Sequence, residues 1–215
     1  MSVIDVRNLH KSYGDREVVS GVSFSVEPGE IFGIIGRNGA GKTTTVECVS
    51  GLRTADAGEI SVLGLDPRRH RDRIVHAVGV QLQESALPDR MTAAEALGLY
   101  ASFYPRPDDP ARLLAELGLQ DVAATAYAKL SGGQKQRLSI ALALIGSPRI
   151  AILDELTTGL DPQARRETWR LIARVRERGV TILLVTHFMD EAQRLCDRIA
   201  VIHDGRVAAL EPPPS

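Results

Sequence analysis

With 215 residues, 26 Lys and Arg against 27 Asp and Glu, and a formal net charge of −1, the chain can bury a sizeable core, either as one large α/β domain or as a core with one insertion. The balanced charge and an isoelectric point of about 6.5 exclude a global basic field, so no nucleic-acid partner is expected. No apolar run approaches the roughly 18 to 20 residues of a membrane helix, and the N-terminus alternates apolar and polar residues instead of forming a signal region, so the chain is expected to be soluble. Cys48 and Cys196 have neither metal-ligand nor disulfide spacing and read as buried, inert thiols of a reducing compartment.

Taken in order, Val3 to Leu9 and Val18 to Val26 read as strands of a small antiparallel sheet, separated by a turn at Tyr13-Gly14-Asp15. Glu30 to Ile35 is a short apolar strand, and Lys42 to Ser50, closed by Gly51, is a helix. After Gly58 a hairpin-like stretch is predicted up to Gly64. Within Ile74 to Leu82, the run Ala77 to Val80 reads as a buried strand ending at Gln83. From Pro88 to Gly146 the sequence becomes rich in Ala and Leu at helical spacing: Ala93, Ala96, Leu97 and Tyr100, then Leu113, Leu114 and Leu117, broken by a loop from Pro105 to Pro110. An inserted helical subdomain is predicted. The α/β pattern resumes with a strand at Ile150 to Asp154, a helix through Trp169 and Val175, and a strand at Val180 to Thr186. A last hairpin turns at Asp204-Gly205, and the tail Pro212 to Ser215 is expected to be disordered. Residues 1–84 and 150–215 are thus expected to form one α/β core, with 85–149 as the helical subdomain.

Between the third predicted strand and the helix after it lies Gly36-Arg37-Asn38-Gly39-Ala40-Gly41-Lys42-Thr43, followed by Thr44. This is a P-loop: its glycines let backbone N–H groups wrap a phosphate, Lys42 reaches the terminal phosphates, and the Thr43 hydroxyl binds magnesium. Strand before and helix after are the context it requires, with the positive helix end facing the phosphates. Asp154 and Glu155 close an apolar strand, where a carboxylate pair is costly without a cationic or protic partner. Asp154 is therefore expected to hold magnesium and Glu155 to polarise the water that attacks the terminal phosphate. Leu130-Ser131-Gly132-Gly133-Gln134 opens an amphipathic helix from Lys135 to Ile145 and forms a second anion-binding helix start. One nucleotide is not easily cradled by both glycine-rich helix ends of one small domain, so the second set is expected to complete a site on another copy. Taken alone, the pentapeptide reads as an ordinary Ser-capped helix.

Together these residues resemble the nucleotide-binding subunit of an ATP-binding cassette (ABC) transporter over essentially the whole chain. Leu130 to Gln134 is similar to the family's signature motif, Ile150 to Glu155 to its Walker B strand, Gly159-Leu160-Asp161 to its D-loop, and His187 to its switch histidine. The resemblance implies a P-loop NTPase (RecA-like) core with a small antiparallel β subdomain and an inserted α-helical subdomain. It also implies ATP held by Tyr13 stacked on adenine and by Gly36, Asn38, Gly39, Ala40, Gly41, Lys42, Thr43 and Thr44. Ser131, Gly132, Gly133, Gln134 and Asp161 act in trans, Mg2+ is held by Thr43, Gln83 and Asp154, and Glu155, His187 and Gln83 are catalytic. The implied partners are a second copy of the chain and a separate membrane permease, at the cytoplasmic face of the membrane.

A finer resemblance, through Gly36 to Thr45 and Leu156-Thr157-Thr158-Gly159-Leu160-Asp161-Pro162, is to the ABC-2 type of drug-resistance exporter ATPases, which implies export of a drug-like, small or lipophilic solute. Leu156 departs from the family, which usually has proline after the catalytic glutamate, and so restores a backbone N–H and loosens φ. A soluble cassette ATPase of DNA repair or translation is the alternative. The interval from Lys42 to Ser131 is too short for the coiled coil of the repair members, and the chain carries one cassette where translation members carry two. A non-hydrolysing nucleotide sensor is disfavoured by the presence of Glu155 and His187.

Overall fold

In the computed structural model, which describes residues 1–81 and 87–213, two sheets pack on a shared apolar layer. The smaller is antiparallel, with β1 (Ile4–Tyr13), β2 (Arg16–Val26) and β4 (Ala57–Val62) in the order β2-β1-β4. The larger has the order β5-β6-β7-β3-β8-β9, built from β3 (Ile31–Ile35), β5 (Val78–Gln81), β6 (Ile150–Asp154), β7 (Thr181–Thr186), β8 (Arg198–His203) and β9 (Arg206–Glu211). Its first five strands run parallel, and β9 returns antiparallel from a turn at Asp204-Gly205.

The parallel strands are buried on both faces, and the two-residue alternation assigns each side chain to one of two cores. Phe32, Ile34, Ile150, Ile152, Leu183 and Val185 face the layer shared with the small sheet and with α1 (Lys42–Val49). Ile31, Ile35, Ala151, Leu153, Ile182 and Leu184 face the opposite layer with α6 (Pro162–Glu177) and α7 (Met189–Leu195). A short α2 (Arg71–Ile74) precedes β5.

The predicted helical insertion is α3 (Ala93–Ala101), α4 (Pro110–Glu116) and α5 (Gly132–Leu144), joined by two short 3-10 turns. Its starts follow from local chemistry. Thr92 and Glu95 form a reciprocal capping box, and Asp109 caps α4 ahead of Pro110. The insertion and the core are not separate packing units, because Leu97, Leu113, Leu138 and Ile145 share one apolar cluster with Leu153 and Leu171.

Two features go beyond the sequence reading. The stretch after Gly58 turns back tightly at Leu63-Gly64, where Val62 and Leu65 exchange backbone hydrogen bonds, but its strand β4 also pairs antiparallel with β1, Ile4 opposite Val62 and Arg7 opposite Glu59. Helix α7, with only seven residues, was not anticipated, because so short an amphipathic pattern carries little periodic signal. Gln83, placed at the end of the fifth strand by sequence, and the tail residues Pro214 and Ser215 lie outside the described residues.

Gly79 is what brings the insertion against the sheet: a Cβ there would run into the backbone carbonyl of Ala143 on α5. Backbone atoms cannot swing aside as a side chain can, so Gly79→Ala is expected to destabilise the chain by about 3 kcal/mol, read as a lowered urea midpoint at unchanged slope.

Candidate active site

The register of the central sheet assembles the site. Ile35 pairs with Thr186 and Asp154 with Val185, so the P-loop, the carboxylate pair and His187 all emerge side by side from carboxyl ends of neighbouring strands. In open α/β sheets that edge is where ligands bind. Gly41 forms the N-cap of α1 at φ 99°, a left-handed conformation in which an added Cβ would also lie 2.6 Å from the Val18 carbonyl oxygen. The loop is further held by the β8–β9 turn, whose Gly205 N–H donates to the Ala40 carbonyl at 3.1 Å. No acidic residue occupies the first turn of α1, which leaves its positive end open to an anion.

Lys42 is buried and points back along the loop. Its ammonium donates to the carbonyl oxygens of Gly36 at 2.9 Å and Arg37 at 3.1 Å, and lies 3.8 Å from Glu155 Oε1. Across the site the Thr43 hydroxyl donates to Asp154 Oδ2 at 3.0 Å. Asp154 is fully buried, and its Oδ1 has no hydrogen-bond partner among the described residues. Burial pushes its carboxyl up to about 6; Glu155 adds to the rise, while Thr43 and Lys42 oppose it. An all-oxygen pair, one hydroxyl and one carboxylate with an unused oxygen, fits a hard divalent cation such as Mg2+. Among the described residues no group of three or more His, Cys, Asp or Glu could cage a metal, and Mg2+ shared with phosphate oxygens and water needs none.

Glu155 follows β6 at φ 51°, a costly conformation for a residue with a Cβ. Its N–H donates to the Val185 carbonyl at 2.9 Å, and its Oε1 lies 3.2 Å from His187 Nδ1. The carboxylate thus lies between an imidazole and the Lys42 ammonium. Leu156, in place of the family's usual proline, is fully buried in the apolar cluster beneath, so its side chain anchors the strained turn. His187 is itself fixed: the Phe188 N–H donates to Thr186 Oγ1 at 3.0 Å, and the His187 and Phe188 rings lie 4.0 Å apart.

The other predicted residues lie on the loop itself or in neighbouring elements. Tyr13 is exposed at the end of β1, with the Arg53 guanidinium 5.1 Å from its ring centre. Ser131 caps α5, accepting from the Gln134 N–H while Gln134 Oε1 accepts from the Ser131 N–H, which is the arrangement expected of an ordinary Ser-capped helix. Gly132 and Gly133 approach Leu160 and Ala164, and Asp161 caps α6 through the Gln163 and Ala164 N–H groups, both at 2.9 Å. Asn38, Gly39 and Thr44 lie on the loop and the first turn of α1 as read from sequence. Both thiols are buried and pushed up, Cys48 to about 11 and Cys196 to about 12, which makes them inert.

One residue escaped the sequence reading. Gln81 is buried at the end of β5, where its Oε1 accepts from the Asp154 N–H at 3.1 Å. A glutamine closing the apolar run Val78 to Val80 was the available signal, since a buried amide needs a partner.

A family model described as ABC transporter matches residues 19–158. The chain belongs to the ABC transporter family. It is 46% identical over 214 residues to Nod factor export ATP-binding protein I of Burkholderia orbicola (strain AU 1054), covering 96% of this chain and 69% of that protein. The protein of the same name from Rhizobium etli (strain ATCC 51251 / DSM 11541 / JCM 21823 / NBRC 15573 / CFN 42) is 41% identical, covering 97% and 68%. Among solved structures, the ATP-binding cassette MJ0796, a dimer in a post-hydrolysis state bound to ADP and Pi, superposes with a TM-score of 0.87 at 26% identity over 99% of each chain. The chain is the ATP-binding, ATP-hydrolysing subunit of an ABC transporter.

The position of Asp154 has a measurable cost. A carboxyl held near 6 in the fold against 3.8 in the open chain contributes stability below pH 3.8, and that contribution is lost as the pH rises through about 6. Asp154→Asn removes this dependence. In the nucleotide-free protein its effect on stability should become more favourable by about 2–3 kcal/mol from pH 4 to pH 8, measured by urea unfolding at both pH values.

Proposed function

We propose that two copies of the chain close on two ATP molecules and that the cycle of closure, hydrolysis and reopening drives export through a separate permease. The observation that carries the chemistry is the cluster of Lys42, Thr43, Asp154, Glu155 and His187 at adjoining strand ends. In this reading the P-loop N–H groups of Gly36 to Thr44 wrap the phosphates, and Lys42 exchanges its loop carbonyls and Glu155 for phosphate oxygens. Glu155, released, accepts a proton from the attacking water, and His187 holds the carboxylate in place and reaches the terminal phosphate. Thr43 and Asp154, with Gln83, would hold Mg2+, which neutralises phosphate charge when bound.

Ser131, Gly132, Gly133, Gln134 and Asp161 are assigned to the nucleotide of the opposite copy. Supporting this, Ser131 and Gly132 are exposed, and the related cassette MJ0796 was solved as a dimer. Tyr13 is assigned to adenine stacking on the exposure of its ring. Export is supported by the names of the relatives at 46% and 41% identity, which also support the exporter-type resemblance over a soluble repair or translation ATPase. Among the described residues no helix is long and apolar enough to cross a membrane, so translocation requires the permease, and the subunit would sit at the cytoplasmic face. The solute is assigned by class alone: small or lipophilic.

Glu155→Gln is expected to bind ATP and dimerise while turnover falls by about 10² to 10⁴; full-rate hydrolysis by that variant would remove Glu155 from the base role. Lys42→Ala should lose nucleotide affinity in a fluorescent-ATP titration, and unchanged affinity would refute the P-loop assignment. The partner is tested by affinity purification of the tagged chain from detergent-solubilised native membranes followed by mass spectrometry. A stoichiometric multi-span membrane protein is expected, whereas recovery of ribosomes, nucleic acid or nothing would overturn the permease reading.

A further inference from the structure

Asp108 lies in the loop between α3 and α4, and its side chain is 4% exposed. Burial pushes its carboxyl up, but hydrogen bonds from Arg178 and Arg112 and from the Asp109 N–H outweigh that and hold it below the ordinary carboxylate range. Arg178 Nη2 donates to Asp108 Oδ2 at 2.6 Å, and its Nη1 donates to Glu116 Oε2 at 2.9 Å. Arg112, on the same face of α4, pairs with the other Asp108 oxygen. The Asp108 N–H donates to the Ile145 carbonyl at 2.7 Å, just past the end of α5. Arg178 itself is the C-cap of α6. A single core guanidinium therefore grips two acids of the helical region, one of them nearly shielded from water.

The other end of α6 touches that region too. Asp161 caps it, and a Cβ built on Gly133 would lie 3.4 Å from Ala164 Cβ. Ala164 and Arg178 are separated by about 21 Å along the helix. The helical region thus packs on α6 through buried apolar side chains, with a close contact beside the Ser131 motif at one end and an ion cluster at the other. Beside that ion cluster, Glu116 and Arg178 also line an open groove of about 280 Å³ with Leu117, Leu144, Leu171 and Val175. Apolar contact has no directional preference, whereas a forked guanidinium bound to two carboxylates does. Without the fork, only non-directional apolar packing fixes the region against α6.

We propose that Arg178 is a positioning residue for ATP hydrolysis, setting through Asp108 and Glu116 the pose of the helical region and hence of the Ser131–Gly133 motif presented to a second copy. This rests on the reading of Ser131 and Gly133 as groups acting in trans. Arg178 touches no substrate, so its loss should spare nucleotide binding by one copy and weaken closure between two.

The test uses the full chain carrying Glu155→Gln, with a fluorescent ATP titration for single-copy affinity and ATP-dependent dimerisation followed by analytical ultracentrifugation. Adding Arg178→Gln or Asp108→Asn should leave the ATP affinity within about twofold and weaken dimerisation by about fivefold or more. The pair together should weaken dimerisation by less than the two single effects multiplied, since both remove the Asp108–Arg178 interaction. Arg178→Lys should recover only part, because an ammonium cannot span both acids. Glu116→Gln removes one arm without stranding a buried charge, and should give a smaller weakening even if the Asp108 variant folds poorly. Dimerisation unchanged in folded Arg178→Gln and Glu116→Gln proteins would overturn the proposal, as would an equal loss of ATP affinity and dimerisation, which marks a general structural defect. If Glu155→Gln alone binds ATP without dimerising, the trans reading fails, and this inference fails with it.

Discussion

The Lys42 ammonium and the Glu155 carboxylate face each other across 3.8 Å at the end of a strand whose last residue, Asp154, is wholly buried. Two adjacent carboxylates in that position are tolerable only with a cation beside them and hydrogen-bond donors around them. Lys42, the Thr43 hydroxyl from the start of α1 and His187 after β7 face the carboxylates, while Gln81 Oε1 and the Val185 carbonyl accept the backbone N–H groups of Asp154 and Glu155 and hold the strand end in place. Burial that pushes Asp154 up to about 6 also leaves one of its oxygens without a partner among the described residues. A divalent cation would satisfy that oxygen and favour the ionised form. The fold therefore holds its site in a state that ligand binding relieves, a trade of stability for function common at active sites.

The strained turn at Glu155 depends on what lies under it. Leu156, buried where the family usually has proline, replaces a stiff ring with an apolar anchor in the cluster formed by Leu153, Leu171 and Ile182. The missing ring constraint removes no catalytic group, and the left-handed conformation of Glu155 is kept by its bond to Val185 and by this packing. On the opposite side of the same cluster, the helical region is joined to the core by apolar contacts along α5 and by the Asp108–Arg178–Glu116 cluster at the end of α6. Apolar burial holds the two regions together, and the ion cluster gives the contact a direction.

Motifs whose chemistry is written in contiguous residues were legible in advance. The P-loop and the Asp154-Glu155 pair each pointed to a ligand by an unusual residue type in a defined local context, whereas the Ser-Gly-Gly helix start, taken alone, read as an ordinary Ser-capped helix. The central strands were equally plain, because strands buried on both faces are apolar throughout. What escaped was made by partners distant in sequence. The residues after Gly58 read as a local turn, and their pairing with β1 was not visible. Gln81 gained meaning from Asp154, and Asp108 from Arg178. Helix α7, seven residues long, was too short for its periodicity to stand out.

By itself the sequence marked the groups proposed to meet a phosphate: glycines for a tight loop, a lysine, a threonine and two carboxylates by their local chemistry, and a histidine by family resemblance. It also determined the alternation that buries the parallel strands between two layers. Only the tertiary structure decided that Ile35, Asp154 and Thr186 end side by side, that His187 meets Glu155 and not Asp154, and that Arg178 reaches Asp108. These relations depend on strand register and helix packing, which arise when the chain buries its apolar faces together, and no local stretch of residues encodes them.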